Sequence, residues 1–269
     1  MMKNPKHKLE IPILMYHNIL ANHEAGGTPS SIYEHQFEEQ MNYLAENNFE
    51  TITLPDVLEL TNNKNKNTKK PVVITFDDGY ENNFTYAFPI LKKHNLKATI
   101  FIIVNRVASA NYMSWQQLEE MSNFGIDMQS HTFSHKPLET LSTTAITHEL
   151  QASKKILGER LKKPVDFISF PHGSCNKNII ENTKKLGYRG SCTSEAGIFN
   201  SNCSTYDMKR IDVRRSYYLS DFKKIVNKNQ LFINKIIVIT SIKKSIQKLI
   251  GINNWNRLYK NFWRISETN

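Results

Sequence analysis

Cysteine is scarce in this chain: three residues, Cys175, Cys192 and Cys203, in 269, with no CxxC spacing. An odd set of this kind does not make a disulfide framework and fits reduced thiols in a cytosol. Long apolar runs are missing too. The longest, 231-LFINKIIVIT-240, is interrupted by Asn234 and Lys235 and is too short to span a bilayer. The opening MMKNPKHKLEIPILMYH has only a short apolar run, broken by Pro12, and no small-residue cleavage site follows, so no signal peptide is expected. Neither GxGxxG nor GxxxxGKS occurs, which argues against the common nucleotide-binding folds. Acidic residues nearly vanish at one end. From Asp221 to Asn269 there are ten Lys or Arg and two acids, so this tail supplies +8 of the formal +10. Basic charge confined to one end, interleaved with aliphatics, points to an anionic surface and away from a nucleic-acid partner.

What the chain does have is alternation. Strand candidates at 11–16, 51–53, 71–76, 98–104, 126–129, 166–170 and 188–192 are separated by helical stretches near 34–47, 82–94, 114–124, 142–162 and 176–187. Continuously apolar strands such as 71-PVVITF-76 imply burial on both faces and hence a parallel sheet, either closed into a barrel or open and doubly wound. The polar run 61-TNNKNKNTKK-70 reads as an exposed loop.

In parallel α/β folds, reactive residues gather at the carboxyl ends of strands. Two features stand there. The run 75-TFDDGY-80 ends a buried strand with the adjacent acids Asp77 and Asp78, and Gly79 permits a sharp turn. The run 129-QSHTFSH-135 follows another strand and puts His131 and His135 four apart, a spacing that brings two imidazoles to one side. Two histidines and one carboxylate form an open three-ligand site for a divalent metal. One aspartate then binds the ion while its neighbour stays free as a base, and the ion's charge offsets the repulsion between them.

TFDDG followed by HTFSH resembles the paired signature of the carbohydrate esterase family four polysaccharide deacetylases, over roughly residues 10 to 215. The resemblance implies a distorted (β/α) barrel of about seven strands and metal-dependent removal of acetyl groups from sugars. It implies Asp77 as general base and Asp78, His131 and His135 as ligands, to zinc first and to cobalt, nickel or manganese as substitutes. The family's Leu-x-x-His motif stands here at the start, as Leu14 to His17, which resembles the circularly permuted branch with the poly-N-acetylglucosamine deacetylases and implies His17 as general acid. The run 170-FPHGSCN-176 resembles that branch's Tyr-Pro-Tyr-Gly, so Pro171, His172 and Gly173 are expected at the substrate and oxyanion, with His172 replacing the second Tyr. The Arg of the standard third motif is absent; Arg210, in 209-KRIDV-213, matches a late Arg-Ile pattern and is expected to orient Asp77.

The expected organisation is a catalytic barrel over 1–220 and a basic amphipathic helical extension over 221–269, and the residues from 241 onward carry apolar positions at largely helical spacing. That extension is expected either to pack on the barrel or to touch the inner face of a membrane, placing the protein in the cytoplasm near an N-acetylated glycan or lipid-linked sugar. Two competing functions share the pattern: a barrel hydrolase for a non-sugar amide, and a catalytically silent glycan-binding barrel. Binding alone does not need a base beside a metal site, which disfavours the second.

Overall fold

The computed structural model describes residues 9–24, 26–62, 69–173 and 175–250, without the side chains of 247, 248 and 250. The centre of the 61–70 loop and the aromatic end of the basic tail, Trp255 to Trp263, lie outside them. The chain forms two compact units, Met1–Lys228 and Asn229–Asn269.

The first unit is a closed ring of seven parallel strands surrounded by helices. In chain order they are β1 (Ile13–Tyr16), β2 (Pro71–Phe76), β3 (Thr99–Ile102), β4 (Asp127–Ser130), β5 (Phe167–Ser169), β6 (Gly190–Ala196) and β7 (Met208–Asp212). Each pairs with the next, and β7 closes on β1 through Ile211 opposite Leu14. The register of β1 on β2 runs from Ile13 opposite Val73 to Tyr16 opposite Phe76. Every residue of β1 and β2 is buried, as strands covered on both faces require. The open-sheet alternative is therefore excluded.

Two elements differ from the sequence reading. The stretch at 51–53 is only a short bridge, Glu50–Thr51 on Pro71–Val72, outside the ring. The seventh barrel strand is instead β7, whose sequence MKRID hides a strand because its buried Arg210 breaks the apolar pattern. The first unit also extends beyond position 220, since the helix Leu219–Val226 packs Phe222 edge-on against Tyr43.

The helices are α1 (Glu34–Glu46), α2 (Leu54–Asn62), α3 (Phe88–Lys93), α4 (Trp115–Phe124), α5 (Thr143–Leu161), α6 (Lys177–Lys185), α7 (Leu219–Val226) and, in the second unit, α8 (Gln230–Ile250). The Tyr16 ring packs on Phe37 of α1 and Phe76 of β2 at 5.3 and 5.4 Å between centroids, and its hydroxyl donates to Gln40 at 2.7 Å. That cluster braces the two strands that carry His17 and Asp77.

The β4–β5 seam has one paired position, Ser130 opposite Ile168. The Gln129 side chain stands in for the missing ladder: its Oε1 accepts from the Asp166 and Phe167 amides at 2.8 Å each, and its Nε2 donates to Asp127 at 2.7 Å. Burial pushes the Asp127 carboxyl up to about 6, only partly offset by Gln129 and Thr99. The folded state thus holds a proton that the unfolded chain gives up near 3.8, and stability from this group is lost as pH rises through about 6. Asp127→Asn is expected to raise stability at pH 7.5 by roughly 1–3 kcal/mol and to leave it little changed at pH 3.5. Denaturant unfolding at both pH values checks this; an equal effect at both would refute the assignment.

Candidate active site

The barrel's carboxyl end collects the sequence-predicted residues from five strands. Tyr16 pairs with Phe76, and the Asp77 amide donates to the Tyr16 carbonyl at 2.9 Å, so His17 and Asp77 leave adjacent strands side by side. Asp78 turns away from the strand with φ 77°, followed by Gly79 also at φ 77°. The positive φ favours glycine there, and a Cβ would also have to displace the tip of Ile102, 2.9 Å away. The turn answers how two adjacent carboxylates, which a straight strand would send to opposite faces, serve one site.

Asp78, His131 and His135 converge: one ligand atom from each lies within 4.8 Å of the others. Asp78 Oδ1 stands 3.4 Å from His131 Nε2 and 3.3 Å from His135 Nε2. His131 Nδ1 lies 2.7 Å from the Ser169 carbonyl; a carbonyl only accepts, so Nδ1 carries a proton and Nε2 is the nitrogen turned toward Asp78 and placed to bind an ion. Burial alone would lower the His131 pKa, yet Asp77 and Asp78 draw it up. The carboxylates thus call for positive charge at this imidazole, a demand that a divalent cation on Nε2 meets equally well. Burial and the neighbouring His131 push His135 down to about 4, so it is neutral at physiological pH and free to ligate. The donor set fits a divalent metal.

Asp77 belongs to a different network. Arg210, fully buried on β7, clamps it with both terminal nitrogens at 2.7 Å. Burial would push Asp77 up, but Arg210 and then His131 hold it well below the usual carboxylate range. Ser169 links the two networks: its hydroxyl donates to Asp77 Oδ2 at 3.1 Å and accepts from Arg210 at 2.8 Å, while its carbonyl fixes His131. Ser169 and Thr75, which accepts from Arg210 at 3.1 Å, escaped the sequence reading. Their signal was a small polar side chain inside an otherwise apolar strand.

Pro171, His172 and Gly173 form a tight turn after β5, with left-handed backbone at His172 (φ 57°) and Gly173 (φ 68°). The His172 ring stacks edge-on to His135, 4.9 Å between centroids. Of the aromatics near the mouth, Tyr80 stacks on Tyr112 at 5.1 Å. Trp115 packs under Arg160 and Phe133 against His148. Cys175, Cys192 and Cys203 are free, and burial raises the Cys175 and Cys192 thiols to about 11 and 12, which leaves neither a ready nucleophile.

A closed parallel barrel with one carboxylate and two imidazoles converging at its carboxyl end, and a second carboxylate held beside them by an arginine, has the equipment of a barrel metallohydrolase. Comparison with known proteins narrows the class. The polysaccharide deacetylase family model matches residues 64–191. YxkH of Bacillus subtilis, whose name assigns it provisionally to polysaccharide deacetylases, is 32% identical over 204 residues, covering 76% of this chain and 71% of the relative. A poly-beta-1,6-N-acetyl-D-glucosamine N-deacetylase of Staphylococcus aureus is 30% identical over 195 residues, covering 67% of each. The Streptococcus pyogenes deacetylase PplD, solved in complex with acetate, superposes with a TM-score of 0.77 at 27% identity, covering 81% of this chain and 98% of that one. The chain belongs to the polysaccharide deacetylase family, hydrolases that take acetyl groups from carbohydrate.

A buried ion pair this well bonded is costly to break from one side. Arg210→Met is expected to destabilise the protein by about 3–5 kcal/mol, and adding Asp77→Asn is expected to recover part of that loss. Urea unfolding of the two single variants and the double variant measures the coupling; strictly additive losses would show that the pair does not act as a unit.

Proposed function

We propose that this chain is a metal-dependent N-deacetylase of an N-acetylated sugar in a surface polysaccharide or lipid-linked glycan. The observation that carries the reading is the division of labour between neighbouring carboxylates. Asp78 faces two imidazoles, whereas Asp77, 4.0 Å from His131, is held by Arg210. Asp78, His131 and His135 would hold the ion, with zinc the best match to one carboxylate and two imidazoles. Bound there, a divalent cation supplies Lewis-acid polarisation of the acetyl carbonyl.

The chain's own groups supply the rest. Asp77, ionised throughout the physiological range, takes the proton from the attacking water. Gly173 N–H is committed to the Phe170 carbonyl at 2.9 Å and Pro171 has none, so the His172 amide is the donor this turn offers to a developing oxyanion. His17, beside Asp77 at the end of β1, protonates the departing sugar nitrogen. The Asn83 side-chain Nδ2 donates to the His17 carbonyl at 2.7 Å and holds that residue to the segment after the aspartates.

The same reading places the protein on the cytoplasmic face of a membrane through its basic end. Supporting this, residues 222–266 contain no acid, and α8 exposes Leu231, Val238, Ile242 and Leu249 on one side along with Lys235. No described helix is long and apolar enough to cross a bilayer. The three free thiols suit a reducing compartment.

Acetate release from N-acetylglucosamine oligomers tests the chemistry. Asp77→Asn is expected to retain metal and lose about 10²–10⁴-fold in kcat, whereas His131→Ala loses metal and activity together. Full turnover by metal-loaded Asp77→Asn would remove the base assignment. For the basic end, co-sedimentation with anionic but not neutral vesicles is expected, abolished by Ile242→Asp with Leu249→Asp; equal binding to both vesicle types, or none, contradicts the membrane reading.

A further inference from the structure

The loop that carries His135 is held in an unfavourable backbone. Thr132, β-branched and fully buried, adopts φ 65°, and His135 adopts φ 62°. Left-handed backbone at such residues is strained and persists only where the surroundings fix it. Two contacts are internal to the loop: the Thr132 amide donates to Ser130 Oγ at 3.2 Å, and the His135 amide to Thr132 Oγ1 at 3.0 Å. Neither fixes the loop to the rest of the protein.

The backbone at 104–105 holds the middle of the loop, its amides donating to the Thr132 and Phe133 carbonyls at 3.4 and 3.0 Å, and α5 holds its two ends. Glu149 is a buried carboxylate, 6% exposed, and both its oxygens are spent on Ser134, the residue before His135. The Ser134 amide donates to Oε2 at 2.7 Å and the Ser134 hydroxyl donates to Oε1. One turn further along α5, buried Ser153 meets Ser130 hydroxyl to hydroxyl at 2.5 Å. Residues four apart share a helix face, so one face of α5 holds the residue preceding His131 and the residue preceding His135. Among the described residues Glu149 makes no ion pair. A buried carboxylate without a cation is expensive, and an apolar residue would serve packing alone better. The carboxylate is explained by what it holds.

We propose that Glu149 is a positioning residue that fixes His135 in the geometry for metal binding. This rests on Asp78, His131 and His135 being the ligands. Glu149 touches neither ion nor substrate. It sets the orientation of the more exposed of the two imidazoles, 27% against 3% for His131, and that imidazole has the most freedom to lose if the loop relaxes.

Competition between the full-length metal-free chain and a chromophoric chelator for Zn²⁺ tests this. Glu149→Gln preserves volume but keeps one acceptor for two donors, and it is expected to weaken Zn²⁺ binding about 10–100-fold. Ser134→Ala removes only the hydroxyl bond and is expected to weaken binding by a smaller factor in the same direction; it carries the test if Glu149→Gln does not fold. A purely structural role for Glu149 would lower the melting temperature and leave Zn²⁺ affinity unchanged, and that result overturns the proposal. A wild-type chain that binds no Zn²⁺ instead overturns the ligand set, and this inference with it.

Discussion

The site depends on the buried pair of Asp77 and Arg210. A guanidinium inside a barrel has five N–H donors and no water to receive them. Here all five find acceptors: Thr193 O from Nε, Thr75 Oγ1 and Asp77 Oδ1 from Nη1, and Asp77 Oδ2 and Ser169 Oγ from Nη2. The acceptors lie on β6, on β2 and its end, and on β5, while Arg210 itself is on β7. One side chain therefore ties four strands of the ring at a fixed height. A small shift of any of them would leave a buried charge or donor unsatisfied, so the pair sets the register of the barrel mouth as much as it sets the charge of Asp77.

Ser169 extends that constraint to the metal ligands. Its hydroxyl belongs to the Arg210–Asp77 network and its carbonyl to His131, so the two halves of the site cannot move independently. Around this rigid centre the backbone is strained: Asp78, Thr132, His135 and His172 are all left-handed without being glycine. These four belong to three loops from three strands. At these positions the left-handed turns let side chains converge against the natural direction of the strands, as the meeting of a carboxylate and two imidazoles on one point requires.

Much of this was legible in the sequence. Asp77, Asp78, His131 and His135 stand out because two motifs, each directly after a strand, together supply a carboxylate pair and two imidazoles, and Arg210 and His172 were named from motif likeness. The strand β7 was not legible. It spends its interior position on Arg210, and a charged residue where a strand should be apolar reads as an edge. Ser169, Thr75 and Glu149 were invisible for a related reason. Each is an ordinary residue in an ordinary element, and its role exists only through partners 41, 135 and 15 positions away in the chain. Sequence pattern reports local periodicity; it does not report which distant donor a buried hydroxyl or carboxylate will face.

The charge count at the mouth explains why adjacent aspartates are needed. Arg210 offsets much of the charge of Asp77, so that charge adds to that of Asp78 only in part. With His135 neutral, Asp78 is the carboxylate that faces both imidazoles, and a divalent cation held there would leave an excess of positive charge toward the cavity. Two free carboxylates would instead have cancelled the ion completely. A surplus of positive charge is what a carbonyl oxygen gaining electrons requires, so the arginine that anchors the base also preserves the field on which acetyl removal would draw.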